Sequence, residues 1–482
     1  MIHFKAIGKI MGALLMILAL LMLPGVGFAY YYESGDQTPL LYSAFASFAI
    51  GATLFFSFSN QDQNIRKREG YLIVSLSWLF MSIFGMLPYL ISGVVDNLPD
   101  AIFETVSGLT TTGATILTDI EATPKGILFW RSMTQWIGGL GIIVLTVAIF
   151  PLLGIGGIEL FVAESPGPTS DKLHPRIRET AKRLWFVYIG LTVAVGVLYY
   201  VEGMNFYDAV NHALTTMATG GFSTKNDSMA YFSPIIQYTA IFFMFLSGTN
   251  FTLIYFGLTG RFKRVWHSDE FKAYVIALVI FLILLVGPVW YYSAEGFEKA
   301  FRDTLFQITS LITTTGYVTS DYTAYHSGLT LIFFMFLFLG ASAGSTSGGI
   351  KFVRHLTFFK NSWLEFKRIV HPRAVVPLKI NGDRVTGKII THIMNFLLIY
   401  LMIFVVGSIV ISLMGYDILT SFGAVATSLG NVGPAIGRVG PEDNFAFFDP
   451  FSKIFLSFLM LLGRLELFTI LVLFTPYFWR AN

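Results

Sequence analysis

The segment LTTTGAT at residues 109–115 decides the fold, because segments of the same kind recur at three later points of the chain. The related segments are MATGGFS at 217–223, ITTTGYV at 312–318 and LGNVGPA at 429–435. Each follows a helix-like stretch too short to span a bilayer and lies between apolar runs long enough to span one. Irregular backbone occurs at membrane depth only where it is buried in protein or lines a water-filled cavity. The four segments therefore predict a pore whose backbone binds a dehydrated cation.

The composition is that of a polytopic integral membrane protein. Hydrophobic residues make up 54% of the 482 residues, charged residues only 13%, and the mean hydropathy is +0.66. The first apolar run, residues 10–30, is longer than the core of a secretory signal and lacks a small-residue cleavage site, which predicts a retained first helix. The chain has no cysteine, which excludes thiolate metal sites and disulfides.

The charges predict the orientation of the chain. Basic residues cluster at 66–68, 172–183, 261–264 and 351–388, so the positive-inside rule assigns these segments to the cytoplasm. Acidic residues with few Lys or Arg occupy the alternate segments, among which all four Gly- and Thr-containing segments lie. The filters are therefore expected to face outward, where the acidic loops concentrate cations.

The chain divides into a first helix pair and four units of one plan. The fold class predicted is all-α integral membrane, with four pseudo-repeated units of helix, pore helix, filter and helix around one pore. The boundaries predicted are 8–59 for the extra N-terminal pair and 70–163, 180–265, 270–360 and 386–480 for the units. Candidate filter glycines, about 100 residues apart as in a repeated module, are Gly113, Gly220, Gly316 and Gly433.

The filter segments combine backbone carbonyls with Thr hydroxyls, the uncharged oxygen ligands that replace the water of a potassium ion. Glycine supplies the backbone conformations that such a filter needs. The fourth segment lacks Thr and fits the pattern loosely. One such segment alone is more often a helix-end turn, whereas four in register favour a filter. The predicted potassium-binding residues are Thr111, Thr112, Gly113, Ala218, Thr219, Gly220, Thr314, Thr315, Gly316, Asn431, Val432 and Gly433.

Further motifs accompany the first filter. They are RSMTQWIGGLG at 131–141, AESPGP at 163–168, GTNF at 248–251, GSTSGGIK at 344–351, HPRAV at 371–375 and GRLE at 463–466. With the filters, they resemble the TrkH/KtrB superfamily of bacterial potassium-uptake proteins, and the extra pair at 8–59 resembles the longer TrkH members. The resemblance implies a potassium-selective pore in the bacterial inner membrane with filters toward the periplasm. It also implies a homodimer and a cytoplasmic nucleotide-binding partner of the TrkA type.

The stretch GASAGSTSGG at 340–349 interrupts the second helix of the third unit. Gly costs about 1 kcal/mol relative to Ala in a helix interior, so a break is expected there. Close helix packing by small residues is the alternative, and a phosphate loop fits poorly because Ile350 stands at its Lys position. The family resemblance favours an intramembrane gate below the filter. The gate residues predicted are Gly340, Gly344, Ser345, Thr346, Gly348, Gly349 and Arg464.

Arg464 lies in the apolar run 454–474, where a charged side chain must face protein or water. It is expected to donate hydrogen bonds to carbonyls of the Gly-rich loop, and a structural pair with an acidic residue is the alternative. Lys453 is expected at the outer membrane surface. His212 is expected to be a packed residue of the second short helix rather than a metal ligand.

Two function classes stay open, together with a third that the residues disfavour. The first is a gated potassium-conducting subunit, and the second is a proton- or sodium-coupled symporter, disfavoured by the few titratable residues in the spanning helices. A membrane enzyme lacks a clustered His, Cys or carboxylate constellation in the apolar core. Potassium is the expected ligand, with no organic cofactor and no nucleic acid. The basic loops suit an acidic regulatory protein, anionic membrane lipid, or topology alone.

Overall fold

The protein is almost entirely helical in the computed structural model, which describes residues 4–58, 67–149, 177–374 and 376–480. The predicted class, an all-α membrane protein, is confirmed. The predicted boundaries at 59 and 163 and the motif at 163–168 lie outside the described residues, as do Val375 and residues 172–176 of the basic segment 172–183.

The N-terminal pair is an antiparallel hairpin of α1 (Phe4–Tyr31) and α2 (Gln37–Ser57). The two helices cross closely because small residues face each other: a Cβ atom on Gly12 would lie 2.5 Å from the Gly51 carbonyl oxygen. The side chain of Asp36, between the helices, accepts a hydrogen bond from Ile127 N at 2.7 Å. That bond attaches the pair to the first unit.

Around each filter segment the helices follow one order: a spanning helix, a short helix, then a second helix. The first unit has α3 (Lys67–Gly85), α4 (Leu87–Ser92), α5 (Leu98–Leu109) and α6 (Lys125–Ile149). The second has α7 (Ile177–Val201), α8 (Phe206–Met217), α9 (Pro234–Ser247), α10 (Phe251–Leu258) and α11 (Phe262–His267), with a 3-10 turn at Ser228–Tyr231. The third has α12 (Asp269–Ser293), α13 (Phe297–Ile312), α14 (Ser327–Phe336) and α15 (Phe352–Val370). The fourth has α16 (Gly387–Leu413), α17 (Ile418–Gly430), α18 (Pro450–Arg464), α19 (Phe468–Leu471) and α20 (Pro476–Trp479), with 3-10 turns at Gly437–Val439 and Val472–Phe474.

A short two-stranded ladder links the third unit to the fourth. Strand β1 (Lys379–Ile380) pairs antiparallel with β2 (Asp383–Arg384), and Lys379 lies opposite Arg384. The turn uses Asn381 and Gly382, both at positive φ, as a tight hairpin requires. The ladder packs against the N-terminus of α12, where Asp269 N donates to Asn381 Oδ1 at 2.7 Å.

Several of these helices can cross a membrane. Among the described residues six are long and apolar enough, namely Phe4–Tyr31, Gln37–Ser57, Arg68–Ser92, Ala181–Val201, Asp269–Ser293 and Gly387–Leu413. Two bent pairs make up to eight spans: α9 with α10, bent by 108°, and α18 with the helical segment 468–474, bent by 107°. The chain is therefore a multi-pass membrane protein.

The second helix is interrupted in every unit. In α6 the break falls at Gly141, at φ 69°, and in the second unit it separates α9 from α10 at 248–250. In the third unit α14 ends at Phe336 and α15 begins at Phe352, so residues 337–351, including the whole Gly-rich stretch, are not helical. In the fourth unit Glu466 and Leu467 take φ values of 57° and 46°. Each second helix therefore leaves some backbone groups without partners inside the helix.

Candidate functional site

The short helices are defined locally by their caps. Asn97, Asn205 and Asp417 each accept a hydrogen bond from the backbone N–H three residues on, which starts α5, α8 and α17. These helices have 12, 12 and 13 residues, whereas α13, which begins after Gly296, has 16. A helix of that length cannot cross a bilayer, so each delivers its C-terminus to the protein interior.

All four short helices end in the same turn. The backbone N–H of Thr111, Thr219, Thr314 and Asn431 donates to the carbonyl three residues earlier, at 3.0, 3.1, 3.1 and 3.4 Å. The next N–H donates five residues back, from Thr112, Gly220, Thr315 and Val432. Two matching bonds in each unit establish which residues are equivalent among the four segments.

The first residue of each turn has a left-handed backbone conformation. The φ angles are 54° at Thr111, 52° at Thr219, 56° at Thr314 and 54° at Asn431. This region is strongly disfavoured for β-branched residues, and such strain of order 1–3 kcal/mol persists where surrounding structure enforces it, typically at functional sites. Three Thr residues strained alike mark this turn as a functional candidate.

The structural register corrects the predicted register of the second unit by one residue. The glycines with positive φ are Gly113, Gly221, Gly316 and Gly433, at 82°, 77°, 77° and 104°. Gly221, which the sequence alignment on Gly220 missed, is thus equivalent to Gly113. Gly220 takes the position of Thr112. The sequence has two adjacent glycines here, and only the backbone angles distinguish their roles.

The four filter segments close a ring in chain order. A Cβ atom added to Gly113 would lie within 3.0 Å of the Gly220 carbonyl oxygen. Cβ atoms added to Gly221 and Gly316 would lie within the same distance of the carbonyl oxygens of Thr315 and Val432. A Cβ atom on Gly433 would lie 2.8 Å from the Thr112 oxygen and completes the circle. Each left-handed glycine therefore contacts the equivalent carbonyl of the next unit. A side chain at any of these glycines would separate the neighbouring segments.

Hydroxyl groups brace the first and third segments identically. Thr110 Oγ1 lies 2.7 Å from Thr112 Oγ1, and Thr313 Oγ1 lies 2.7 Å from Thr315 Oγ1. One further hydroxyl per segment, that of Ser107 and that of Ser310, donates to the carbonyl following the filter glycine. By contrast, Thr111 Oγ1 is buried without a hydrogen-bond partner among the described residues. An unpaired oxygen in this ring suits a dehydrated cation.

One polar position on each of the first three short helices holds the outer end of its filter. Glu104 accepts from Ile116 N at 2.9 Å, His212 Nε2 lies 2.9 Å from Ser223 Oγ, and Gln307 donates to Ser320 O at 3.0 Å. His212 also contacts Asp208 O at 2.8 Å through Nδ1. This imidazole is a packed residue of the short helix, as expected. The fourth unit has Ala424 at the equivalent position.

Two ion pairs that sequence reasoning missed hold the short helix α5. Arg131 Nε lies 2.7 Å from Glu104 Oε1, and Arg131 also donates to Ser223 O at 3.1 Å in the second filter segment. Lys453, expected at the outer membrane surface, is buried within the protein and lies 2.6 Å from Asp100 at the start of α5. Its partner lies more than three hundred residues away in the chain, so no local pattern indicated the pair.

Two exposed carboxylates, Asp119 in the loop before α6 and Asp417 at the start of α17, accept hydrogen bonds from neighbouring groups. The pKa of Asp119 is lowered by hydrogen bonds, chiefly from the Asn226 amide of the second unit and then from Ala122 N. Hydrogen bonds from the Thr420 hydroxyl and its backbone N–H likewise lower the pKa of Asp417. Both groups therefore carry negative charge at neutral pH.

The Gly-rich loop lies directly against the inner ends of three filter segments. Gly348 N donates to Thr314 Oγ1 at 2.7 Å, and Thr219 Oγ1 lies 3.3 Å from Thr346 Oγ1. A Cβ atom on Gly348 would lie 2.7 Å from Asn431 Cβ, so the loop approaches the fourth segment equally closely. Only glycine fits there. Gly349 approaches the methyl group of Thr314 as well.

The other predicted loop residues lie farther from the ring. The N–H of Gly340 donates to Ile350 O at 2.8 Å, which closes the base of the loop. Gly344 O accepts from Phe251 N at 3.0 Å, and Ser345 bonds to the Ser342 carbonyl within the loop. Asn250, at the break of the second unit, donates to Ala343 O at 2.7 Å. The loop is thus held from below by the broken helix α9 to α10.

Arg464 joins the Gly-rich loop to two other units. Its guanidinium donates to Thr346 O at 2.8 Å, to Gly139 O at 3.3 Å, and to Gly138 O. The hydrogen bond to a loop carbonyl is the contact that the sequence predicted for this residue. Glu466 pairs with Arg354 on α15 and not with Arg464. Residues two positions apart on a helix do not face each other, so Glu466 is poorly placed to pair with Arg464.

Fold and site together define a polytopic helical membrane protein built for cation transport. The family model TrkH, described as cation transport protein, matches residues 39–480, and the chain belongs to this family. A member of this family is a transporter and not an enzyme. Among the described residues no group of three or more His, Cys, Asp or Glu side chains is placed to hold a metal ion.

Relatives of known name match over almost the whole chain. The Trk system potassium uptake protein TrkH of Salmonella typhimurium is 39% identical over 484 residues, covering 99% of this chain and 100% of the relative. The TrkG protein of the Escherichia coli Trk system is 33% identical, with 99% of each chain covered. The crystal structure of the potassium transporter TrkH from Vibrio parahaemolyticus superposes with a TM-score of 0.90 at 36% identity, covering 99% of this chain and 100% of that one.

Proposed function

We propose that this chain is the potassium-conducting subunit of an uptake system, with one pore formed by the four filter segments. The observation that carries the proposal is the closed ring in which each filter glycine contacts the equivalent carbonyl of the next unit. Such a ring surrounds one axis with backbone oxygen and Thr hydroxyls and carries no net charge. That chemistry replaces the hydration shell of potassium without binding it too tightly for release.

The filter ligands proposed are those predicted from the sequence, together with Gly221. They are Thr111, Thr112 and Gly113, then Ala218, Thr219 and Gly220, then Thr314, Thr315 and Gly316, then Asn431, Val432 and Gly433. The uncharged oxygen donors, the strained turn and the potassium-uptake names of the relatives all support potassium as the transported ion. Potassium is here the substrate, with no organic cofactor on this chain.

The Gly-rich loop 340–349 acts as the gate in this proposal. Its contacts with Thr219, Thr314 and Asn431 put peptide backbone across the inner end of the ring, where a permeating ion would leave the filter. Arg464 stabilises that position by its hydrogen bond to Thr346 O. The glycines keep the loop free of side chains and able to move aside. Opening the gate in this proposal requires breaking the hydrogen bonds from Gly348 N to Thr314 and from Arg464 to Thr346 O.

The filters face the periplasm of a bacterial inner membrane in this proposal, and the basic segments face the cytoplasm. Support comes from the acidic outer loops, among them Asp119 and Asp417, and from the basic residues at 261–264 and 351–388. A homodimer, a cytoplasmic TrkA-type nucleotide-binding subunit and contact with membrane lipid complete the proposed assembly. The relatives are named as parts of a Trk system, which supports a regulatory partner.

A proton- or sodium-coupled symporter is the second candidate. One observation favours this candidate: carboxylates lie inside the helical bundle, where the buried Glu104 pairs with Arg131 and the partly buried Glu466 pairs with Arg354. Both carboxylates form ion pairs with Arg side chains, which is the usual arrangement of structural carboxylates inside a helical bundle. Ion conduction through a gated pore is therefore the better supported function.

Cation flux into proteoliposomes that contain the purified chain tests the proposal. Potassium, rubidium, sodium and lithium are compared at fixed pH, with and without an imposed membrane potential. We expect potassium and rubidium flux that follows the potential without a co-ion. Flux that requires a proton or sodium gradient would make the protein a symporter.

A further inference from the structure

One buried amide contacts the second filter segment and was not singled out by the sequence. Gln135 lies on α6 of the first unit, one helical turn after Arg131, and is 0% exposed. Its Nε2 donates to Gly220 O at 2.5 Å, and its Oε1 accepts from Phe222 N at 3.1 Å. Both polar atoms of the side chain are thus used by the backbone on either side of Gly221.

The same side chain occupies the space that a filter side chain fills elsewhere. A Cβ atom on Gly220 would lie within 3.0 Å of the Cδ, Oε1 and Nε2 atoms of Gln135. The residues equivalent to Gly220 in the other segments are Thr112, Thr315 and Val432, each with a β-branched side chain. The second segment therefore lacks the side chain at this level because Gln135 is in its place.

The fourth unit shows the arrangement without this glutamine. Gly138 faces the carbonyl of Leu109, and Gly463 faces the carbonyl of the equivalent residue Leu429, so the two glycines are equivalent. Gln135 and Met460 each lie three residues before their glycine, which makes Met460 the counterpart of Gln135. Met460 lies on α18, which packs against the first unit, where Thr112 keeps its own hydroxyl bonded to Thr110. The same position beside the filter backbone is therefore filled either by a side chain of the filter itself, as with Thr112, or by a polar side chain of the neighbouring helix, as with Gln135.

We infer that Gln135 is the positioning residue of the second filter segment and is required for its cation preference. Four carbonyls contact the filter glycine of a neighbouring unit, and among the hydrogen bonds of the described residues only Gly220 O of these four accepts one from a side chain. Without the Gln135 amide, the Gly220 carbonyl and the Phe222 N–H lose their hydrogen-bond partners in a buried site. The peptide groups of the adjacent Gly220 and Gly221 can then change orientation, because glycine adopts many backbone conformations. A ring with one mobile member binds potassium and sodium more equally. The inference rests on the proposed function.

The test is the ratio of potassium to sodium flux in proteoliposomes of the full chain. Gln135→Leu keeps the volume and removes both hydrogen bonds, and we expect the ratio to fall about fivefold or more. Gly220→Thr alone clashes with Gln135 and is expected to lose selective flux. Gln135→Ala combined with Gly220→Thr rebuilds the arrangement of the other segments and is expected to recover much of the preference.

Gln237 supplies the matched control. It is a buried glutamine of α9 whose amide donates to Met229 O and Phe232 O, both at 3.0 Å, and neither of these carbonyls belongs to a filter segment. Gln237→Leu costs the same kind of buried hydrogen bonds and should leave the flux ratio unchanged. A wild-type ratio in Gln135→Leu would overturn the inference, as would a double variant no better than Gly220→Thr. Absence of voltage-driven potassium flux in the unsubstituted chain would instead overturn the proposed function.

Discussion

The guanidinium of Arg464 lies 2.8 Å from the main-chain oxygen of Thr346, so the last turn of α18 is bonded to the loop that crosses beneath the filter. The same guanidinium bonds to Gly138 O and Gly139 O in α6. One side chain therefore connects the first, third and fourth units at a single depth. An Arg at membrane depth satisfies its donors with carbonyls that broken helices leave exposed.

Replacing Arg464 tests whether this contact keeps the loop closed. Charge-assisted hydrogen bonds contribute about 1.5–3 kcal/mol, so we expect Arg464→Ala to raise basal potassium flux by about tenfold or more. Flux in the absence of any regulatory subunit is the measurement. Loss of thermal stability with no added leak would show a structural pair and not a gate contact.

Shortening the Gly-rich loop tests the gate from the other side. Deleting several residues within 341–349 removes the Gly348 contact to Thr314 and the Thr346 contact to Arg464. We expect a larger leak with an unchanged preference for potassium over sodium, because the ring is formed by other residues. A leak that is equally permeable to sodium would place the loop within the filter itself.

The filter glycines are tested by Gly113→Ser and Gly316→Ser. Each adds a Cβ against a neighbouring carbonyl at a positive φ, so the ring opens and the preference for potassium falls. The control is Gly93→Ser, because Gly93 has a φ of 70° but no atom near its missing Cβ. Both filter variants retaining the selectivity of the unsubstituted protein would contradict the filter assignment.

The ion pair between the buried Arg354 and the partly buried Glu466 is expected to matter for stability more than for selectivity. Removing one partner of a buried ion pair costs about 3–5 kcal/mol, so Glu466→Ala should lower the unfolding temperature in detergent strongly. Glu466→Ala combined with Arg354→Met should lower it less, since no unpaired charge is left behind. The comparison to measure is the double-mutant cycle. Additive effects would show that the two residues do not interact.

Local features of the sequence were enough to locate the filter segments and the helices that carry them. The short helix-like stretches and the Gly and Thr residues that follow them are local features that the sequence displays directly. The predicted hydrogen bond of Arg464 to a loop carbonyl is also present. The register of the second segment was wrong by one residue, because Gly220 and Gly221 are chemically identical and differ only in backbone conformation.

By itself, the sequence determined that the chain is an all-α membrane protein and predicted four units of one plan, because hydropathy and glycine spacing act along the chain. The tertiary structure alone decided which carbonyl each filter glycine contacts, which cation pairs with Glu104, Asp100 and Glu466, and that Gln135 replaces a filter side chain. Most of these contacts join residues that are far apart in sequence. Such contacts follow from how helices pack around one axis, where shape and the satisfaction of buried polar groups select the partners.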